Sequence, residues 1–366
     1  MNKIIRVLHT EWSDGWGGQE IRIISEMLSM RNRGVEVFLA CRKNSTIKHK
    51  ALENKIPVFT LPFRGNLDLI SIFKLISLIR KNKINIVNTH SGKDTWVGGL
   101  AAKISGIKFI RTRHLSNLIN SSRLNFINEI ADYIFTTGES VKLNMIKFNR
   151  IKPEKIQSIP TGVDSKIFNP NLFSKKTTRI RLGIKEGEIC IGIVAVLRDS
   201  KRHDNFLKIA QMLKNKYSNR NFKFLIVGDG PYKENIERNV QELSLEDDVM
   251  LIGHVENVAE VMSAIDIFLF TADRREGVPQ VLIQALMMDL KVVSTDDGSI
   301  VDLKNGENFL ISSPEISMLF SNACKAVENY SKTDFLRSSR NHIVDHFSSE
   351  ASANKILKIY REILHE

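Results

Sequence analysis

No run of apolar residues in this 366-residue chain reaches the roughly 18 residues that a membrane-spanning helix needs. The opening stretch, Met1-Asn2-Lys3-Ile4-Ile5-Arg6-Val7-Leu8-His9, is too short and too interrupted in its apolar part for a signal peptide, and reads as a first strand. A cytoplasmic location is therefore expected. Cysteine is scarce. Cys41, Cys190 and Cys324 are odd in number, far apart and in no metal-ligand pattern, which fits buried free thiols in a reducing compartment. Aromatic residues make up 7% of the chain, and no basic-aromatic motif of a nucleic-acid binder is present. Asp-x-Asp is missing, as is any His/Cys cluster at metal spacing. Chemistry without a metal ion is the expectation, and no residue is assigned as a metal ligand.

What is present is a soluble composition, 42% hydrophobic and 26% charged. The length suits two domains better than one core. The net charge of +12 is uneven: residues 1–170 hold 27 Lys/Arg against 13 Asp/Glu, a balance of +14, whereas the rest is near neutral. A basic half suits an anionic substrate or an anionic membrane surface, with a merely solvated surface as the plain alternative.

Short β-branched runs alternate with amphipathic helical stretches, the pattern of parallel sheets with crossover helices. Strands are predicted at residues 4–9, 35–41, 58–61, 84–89, 108–112 and 133–137, then at 189–196, 222–227, 249–252, 267–271 and 292–294. Helices are predicted at residues 20–33, 67–81, 94–105, 203–217, 233–243 and 279–288. Residues 160–183 carry turn residues without a sustained period and read as an interdomain connection. The last stretch, 348–366, reads as an amphipathic helix with Ile356, Ile359 and Ile363 on one side. The fold class is thus α/β, with two doubly wound Rossmann-like domains facing across a cleft. Ligands of such sheets bind at the carboxyl ends of the strands, so residues just after strands are the candidates.

Gly17 and Gly18 follow the first strand and open a helix, where backbone can approach a phosphate closely. His90 and His114 end successive strands, the second with Arg111 and Arg113 beside it; imidazoles there can bond sugar hydroxyls or phosphates. Glu139 follows the sixth strand and opens a helix, where a helix-capping role is the alternative. Arg198 and Lys201 lie between a strand and a helix, placed to neutralise a diphosphate leaving group. Gly228 and Gly230 form a turn that can approach a nucleotide. Glu276-Gly277-Val278-Pro279-Gln280 opens another helix, with Glu276 able to accept bonds from sugar hydroxyls and the helix start facing phosphate oxygens. Gln284 stands eight positions after Glu276.

Together these segments, with Ile159-Pro160-Thr161-Gly162-Val163-Asp164 and Ser294-Thr295-Asp296-Asp297-Gly298-Ser299, resemble family-4 retaining glycosyltransferases of the GT-B fold over nearly the whole chain. The resemblance implies an acceptor-side domain at 1–165, a donor-binding domain at 166–345 and a final helix at 346–366 packing back on the first domain. It implies a sugar passed, with retention, from a nucleotide-diphosphate sugar to a glycan or lipid-linked sugar of a surface polysaccharide such as lipopolysaccharide or capsule. No cofactor beyond that co-substrate is implied. His114, Glu276 and Lys201 take catalytic roles. Gly17, Gly18, Arg198, Lys201, Gly228, Gly230, His254, Val255, Glu276 to Gln280 and Gln284 take the donor. His90, Arg111, Arg113 and Glu139 line the acceptor side. Peripheral, electrostatic attachment to the inner face of the plasma membrane follows from the basic first half. Two positions depart from the family. Gln284 stands where a second glutamate usually grips the ribose, keeping an acceptor oxygen but not the charge. Val196 stands at the usual phosphate arginine, with Arg198 two places on. The alternatives are a nucleotide-sugar epimerase of the same fold and a catalytically silent partner of another transferase.

Overall fold

The computed structural model describes residues 4–115, 118–119, 126–273, 278–296, 299–304, 308–330 and 336–365. The chain divides into two compact units, residues 1–162 with 349–366, and residues 163–348.

The first unit is built on a parallel seven-stranded sheet: β1 (Arg6–Glu11), β2 (Glu36–Cys41), β3 (Val58–Thr60), β4 (Ile86–Thr89), β5 (Lys108–Arg113), β6 (Tyr133–Thr136) and β7 (Ile156–Ser158). Their order across the sheet is β3-β2-β1-β4-β5-β6-β7. Crossover helices α1 (Gly18–Arg31), α2 (Thr46–Glu53), α3 (Leu69–Lys81), α4 (Gly92–Ile104) and α5 (Glu139–Asn149) connect the strands. Both sheet faces are covered, which is why the strands are near-continuously apolar. Alternate residues face opposite layers: Leu8, Val87 and Phe109 enter one core, while Val7, Ile86 and Ile110 enter the other. The order reverses between β1 and β4, the switch point at which doubly wound sheets open a crevice.

The second unit repeats the design with six parallel strands in the order β10-β9-β8-β11-β12-β13. They are β8 (Ile189–Val194), β9 (Phe222–Val227), β10 (Val249–Gly253), β11 (Ile267–Phe270), β12 (Lys291–Thr295) and β13 (Phe309–Ser312). Its helices are α6 (Lys175–Arg181), α7 (His203–Lys216), α8 (Lys233–Glu242), α9 (Val258–Met262), α10 (Gln280–Met287), α11 (Ile316–Glu328) and α12 (Leu336–Phe347). The closing helix α13 (Ser349–Leu364) belongs to the first unit. Its Ala353, Ile356, Ile359 and Tyr360 are buried in one cluster with Ile23 and Met27 of α1, and Ile363 packs against its margin.

Three local expectations are corrected. Residues 160–183, read as a connection without a sustained period, hold the short helix α6, which Ser174 caps by accepting from Thr177 N–H. Arg179 and Lys175 of α6 both reach the buried carboxylate of Asp266. Strands β7 and β13, at the far edges of their sheets, were not among those predicted. β1 also runs two residues beyond its apolar run. His9, Thr10 and Glu11 are fully buried, so tertiary cover rather than local hydrophobicity keeps them in the strand.

Candidate active site

In the first unit the polar groups gather where β1, β4 and β5 end, at the centre of the sheet. His9 lies in β1, His90 directly after β4 and His114 directly after β5. Nδ1 of His9 is 3.0 Å from Nε2 of His90, and Nδ1 of His90 is 3.0 Å from Nε2 of His114. The carboxylate of Asp94, in the first turn of α4, accepts from the backbone N–H of His90 at 2.9 Å and of Ser91 at 2.8 Å. It also accepts from the Thr10 hydroxyl at 2.7 Å. This locks the loop that carries His90 onto β1. His9 and Asp94 are working parts of the arrangement that the sequence reading passed over. The spacing His90-x-x-x-Asp94 across a helix start was the available signal.

Burial pushes the His9 imidazole down to about 3. Burial, then His9 and His114, hold His90 well below the ordinary histidine value. Burial, then Arg22, Arg111 and Arg113, do the same for His114. All three rings are therefore neutral at physiological pH. Arg111 is buried, and its Nε and Nη1 have no hydrogen-bond partner. Arg113 is nearly as buried, and burial lowers it to about 10. Glu139 occupies the first position of α5, after the cap residue Gly138, and pairs with Lys142 at 2.7 Å.

The glycine loop is more acidic than its sequence suggests. The Gly17 N–H is committed to the Glu20 carboxylate at 2.8 Å, and the Gln19 amide to Glu11. Burial, reinforced by Asp94 and to a smaller extent by Glu20, pushes Glu11 up to about 7, with bonds from Ser13 and Gln19 opposing. A carboxyl raised from an unfolded value near 4.5 lets the folded state hold the extra proton between about pH 4.5 and 7, so its penalty is complete above pH 7 and absent below about 4.5. Glu11→Gln removes that penalty at the cost of one hydrogen bond. The variant should be about 1–2 kcal/mol more stable than the parent at pH 8, an advantage that disappears by pH 4.5. Urea unfolding at the two pH values checks this.

In the second unit every donor-side candidate that is described sits at the carboxyl edge of the sheet. After β8, residues 195–202 hold exposed Arg198 and half-buried Lys201, whose Nζ is 5.7 Å from the centre of the Phe270 ring. The Thr271 hydroxyl lies 2.9 Å from the carbonyl oxygens of both Lys201 and Arg202 and pins this turn to the end of β11. After β9, Gly228 (φ +139°) and Gly230 (φ +157°) press against residues 195–197. A Cβ on Gly228 would lie 1.9 Å from the Ala195 oxygen, and one on Gly230 2.5 Å from the Leu197 oxygen. These glycines are therefore required by close backbone approach, which in turn shapes the Arg198–Lys201 turn. His254 is exposed just beyond β10, while Val255 packs against the core. Val278 is buried, Pro279 precedes α10, Gln280 begins it, and Gln284 is half-buried one turn on. Glu276 and Gly277 lie outside the described residues, as do Asp297 and Gly298. Among the described residues no group of three or more His, Cys, Asp or Glu is placed to hold a metal ion.

Two parallel-sheet units with polar residues gathered at strand ends define a doubly wound α/β scaffold that binds ligands at that edge, and comparison with known proteins identifies its class. Residues 16–166 match Glycosyltransferase Family 4, and residues 174–341 match Glycosyl transferases group 1. The chain belongs to these glycosyltransferases and is an enzyme of that class. It is 24% identical to the UDP-Gal:alpha-D-GlcNAc-diphosphoundecaprenol alpha-1,3-galactosyltransferase of Escherichia coli, across 98% of this chain and 97% of that protein. The fold is similar to that of a glycosyltransferase from Rickettsia africae (TM-score 0.89, 19% identity, 99% of each chain). It is also similar to Anabaena Alr3699/HepE in complex with UDP (TM-score 0.84, 17% identity, 98% of this chain and 100% of that one). The fold is that of two Rossmann-like α/β domains, as the strand pattern predicted.

Proposed function

We propose that this glycosyltransferase moves a sugar, with retention and without a metal ion, from a nucleoside diphosphate sugar to a lipid-linked glycan of a bacterial surface polysaccharide. The observation that carries the reading is the Lys201 turn, held at the carboxyl edge of the second sheet by Thr271 and by the Gly228 backbone. Lys201, with Arg198 near it in sequence, supplies fixed positive charge to a departing diphosphate, the task a metal ion performs elsewhere. As the sugar carbon leaves the diphosphate, the acceptor oxygen bonds to it on the same face and its proton passes to a diphosphate oxygen. Glu276 and the start of α10 bind the donor sugar and phosphate, and Gln284 accepts from the ribose. Uridine is the favoured base, because the Escherichia coli relative is a UDP-Gal transferase and the Anabaena neighbour was solved in complex with UDP. Incubation with a panel of uridine, guanosine and adenosine diphosphate sugars, reading nucleotide release with and without EDTA, tests the proposal. Uridine diphosphate release that EDTA leaves unchanged is expected. Release that depends on added divalent cation overturns the metal-independent part, and no release from any sugar nucleotide favours a silent partner.

The acceptor side rests on charge and on one helix face. Leu67, Leu69, Ile70 and Phe73, at the start of α3 and just before it, are each about half to two-thirds exposed. Arg64, Lys74, Arg80 and Lys81 are exposed on the same segment. Exposed apolar side chains with cations on the same segment suit the surface of an anionic bilayer, where each basic group contributes about 1 kcal/mol. Among the described residues no helix is long and apolar enough to cross a membrane. Leu69→Glu with Phe73→Glu should reduce sedimentation with phosphatidylglycerol vesicles at least about tenfold, and 0.5 M salt should weaken the parent, since screening acts over about 8 Å at physiological ionic strength. Vesicle binding that is unchanged by the substitutions removes α3 from the contact.

A further inference from the structure

Each neutral imidazole carries one N–H and one bare nitrogen, and a sound bond between two of them holds one proton. In the His9–His90–His114 row, two bonds therefore use two of the three protons. The third must sit at one end, on Nε2 of His9 or on Nδ1 of His114. The two ends differ. Nε2 of His9 is buried and has no hydrogen-bond partner. His114 is only half-buried, its Nε2 is the atom facing His90, and its Nδ1 is not among the buried unpartnered atoms. A donor N–H sealed away without an acceptor is costly, whereas at the open end the same N–H can meet a ligand oxygen or water.

We propose that His9 and His90 are positioning residues that fix the tautomer of His114, so that its Nδ1 is presented as a hydrogen-bond donor and not as a base. In that arrangement Nδ1–H of His9 donates to Nε2 of His90, and Nδ1–H of His90 donates to Nε2 of His114. Reversing one bond alone would place two protons, or none, between a pair of rings. The row therefore reverses as a unit, and reversal would put an unpartnered N–H at the buried end. Asp94 holds the row in line by fixing the His90 backbone. This deepens the proposed transfer reaction and rests on it for its consequence: His114 stabilises an oxygen that gains negative charge and does not remove the acceptor proton, which leaves that proton to the diphosphate.

Histidine ¹⁵N NMR on the full chain reads the tautomer without requiring turnover, so it separates this inference from the reading of function. His114, assigned through loss of its signals in His114→Gln, should be protonated at Nδ1 and bare at Nε2. His9→Phe removes the first donor. It should shift His114 toward a mixture of tautomers and lower kcat about tenfold to a hundredfold, the range for losing a group that orients a ring, with donor KM nearly unchanged. His9→Asn keeps an N–H near the Nδ1 position and should restore both the tautomer and most of kcat. If His9→Phe fails to fold, the parent spectrum and His9→Asn still decide. A parent His114 protonated at Nε2, or a folded His9→Phe with parental tautomer and kcat, overturns the inference. If the parent shows the expected tautomer but releases no nucleotide from any sugar nucleotide, the row stands and the proposed function falls.

Discussion

Gly228→Ala should leave the 163–348 unit unable to fold. The substituted Cβ would lie 1.9 Å from the Ala195 carbonyl oxygen and 2.9 Å from its carbon, both backbone atoms with no rotamer to escape through. The backbone at +139° is a second cost, since an alanine is strained there whatever the space. Relief would require separating the β9 turn from residues 195–197. That separation breaks the bonds Leu197 N–H to Asp229 O and Tyr232 N–H to Leu197 O, each 3.0 Å. A combined cost above about 4–5 kcal/mol is the expectation, comparable to the whole stability of many domains. Hydrogen exchange should show protection lost across β8 and β9 while β1, β4 and β5 remain protected. A Gly228→Ala protein with parental exchange in β8 and β9 would contradict the clash. Gly230→Ala should behave similarly but more mildly, since its nearest approach is 2.5 Å.

The second large effect concerns catalysis. His114→Ala and Glu276→Ala should each lower kcat at least about a hundredfold, with folding intact. For His114 the reason is geometric: its ring stands at the open end of a row of imidazoles anchored on three adjacent strands, a preorganised dipole that costs nothing to arrange during reaction. Removing one such donor typically costs about 10² to 10³ in rate. The ring is held neutral by burial and by Arg22, Arg111 and Arg113, so its contribution should not fade between pH 6 and 8. Initial rates across that range, with unfolding followed in parallel, check the claim. If both variants keep full activity, the catalytic assignment is wrong. Gln284→Glu adds a narrower test, since a charged acceptor should tighten nucleotide binding if Gln284 meets the ribose, and unchanged affinity would remove it from that contact.

The candidate site was legible in the sequence as far as its residues' positions depend on strand ends. His90 and His114 stand at the ends of predicted strands, and a doubly wound sheet places such residues on its binding edge. Lys201 and Gly228 became candidates by the same rule, and Gln280 by its place at a helix start. His9 did not. It sits inside β1 with no motif around it, and what brings it into the row is strand register, which sets it opposite Asn88 of β4 and within 3.0 Å of His90, two residues further on. Glu11 was missed for a related reason, because an acid at the end of an apolar run looks like the first solvated residue, whereas here it is fully buried and its charge is opposed first by burial and then by the like charges of Asp94 and Glu20.

The sequence by itself determined the alternation of strand and helix, the split into two α/β units, the family and the sheet edge that carries the candidate residues, because these follow from local periodicity and from short motifs. Only the tertiary structure decided that α13 closes onto α1, that Gly228 is needed for a backbone contact, that the Gly17 amide is already bonded, and that three histidines from β1, β4 and β5 form one hydrogen-bonded row. Each of these is a distance between residues far apart in the chain. Such distances are set by strand order and by packing of whole layers, and no local pattern of residues encodes them.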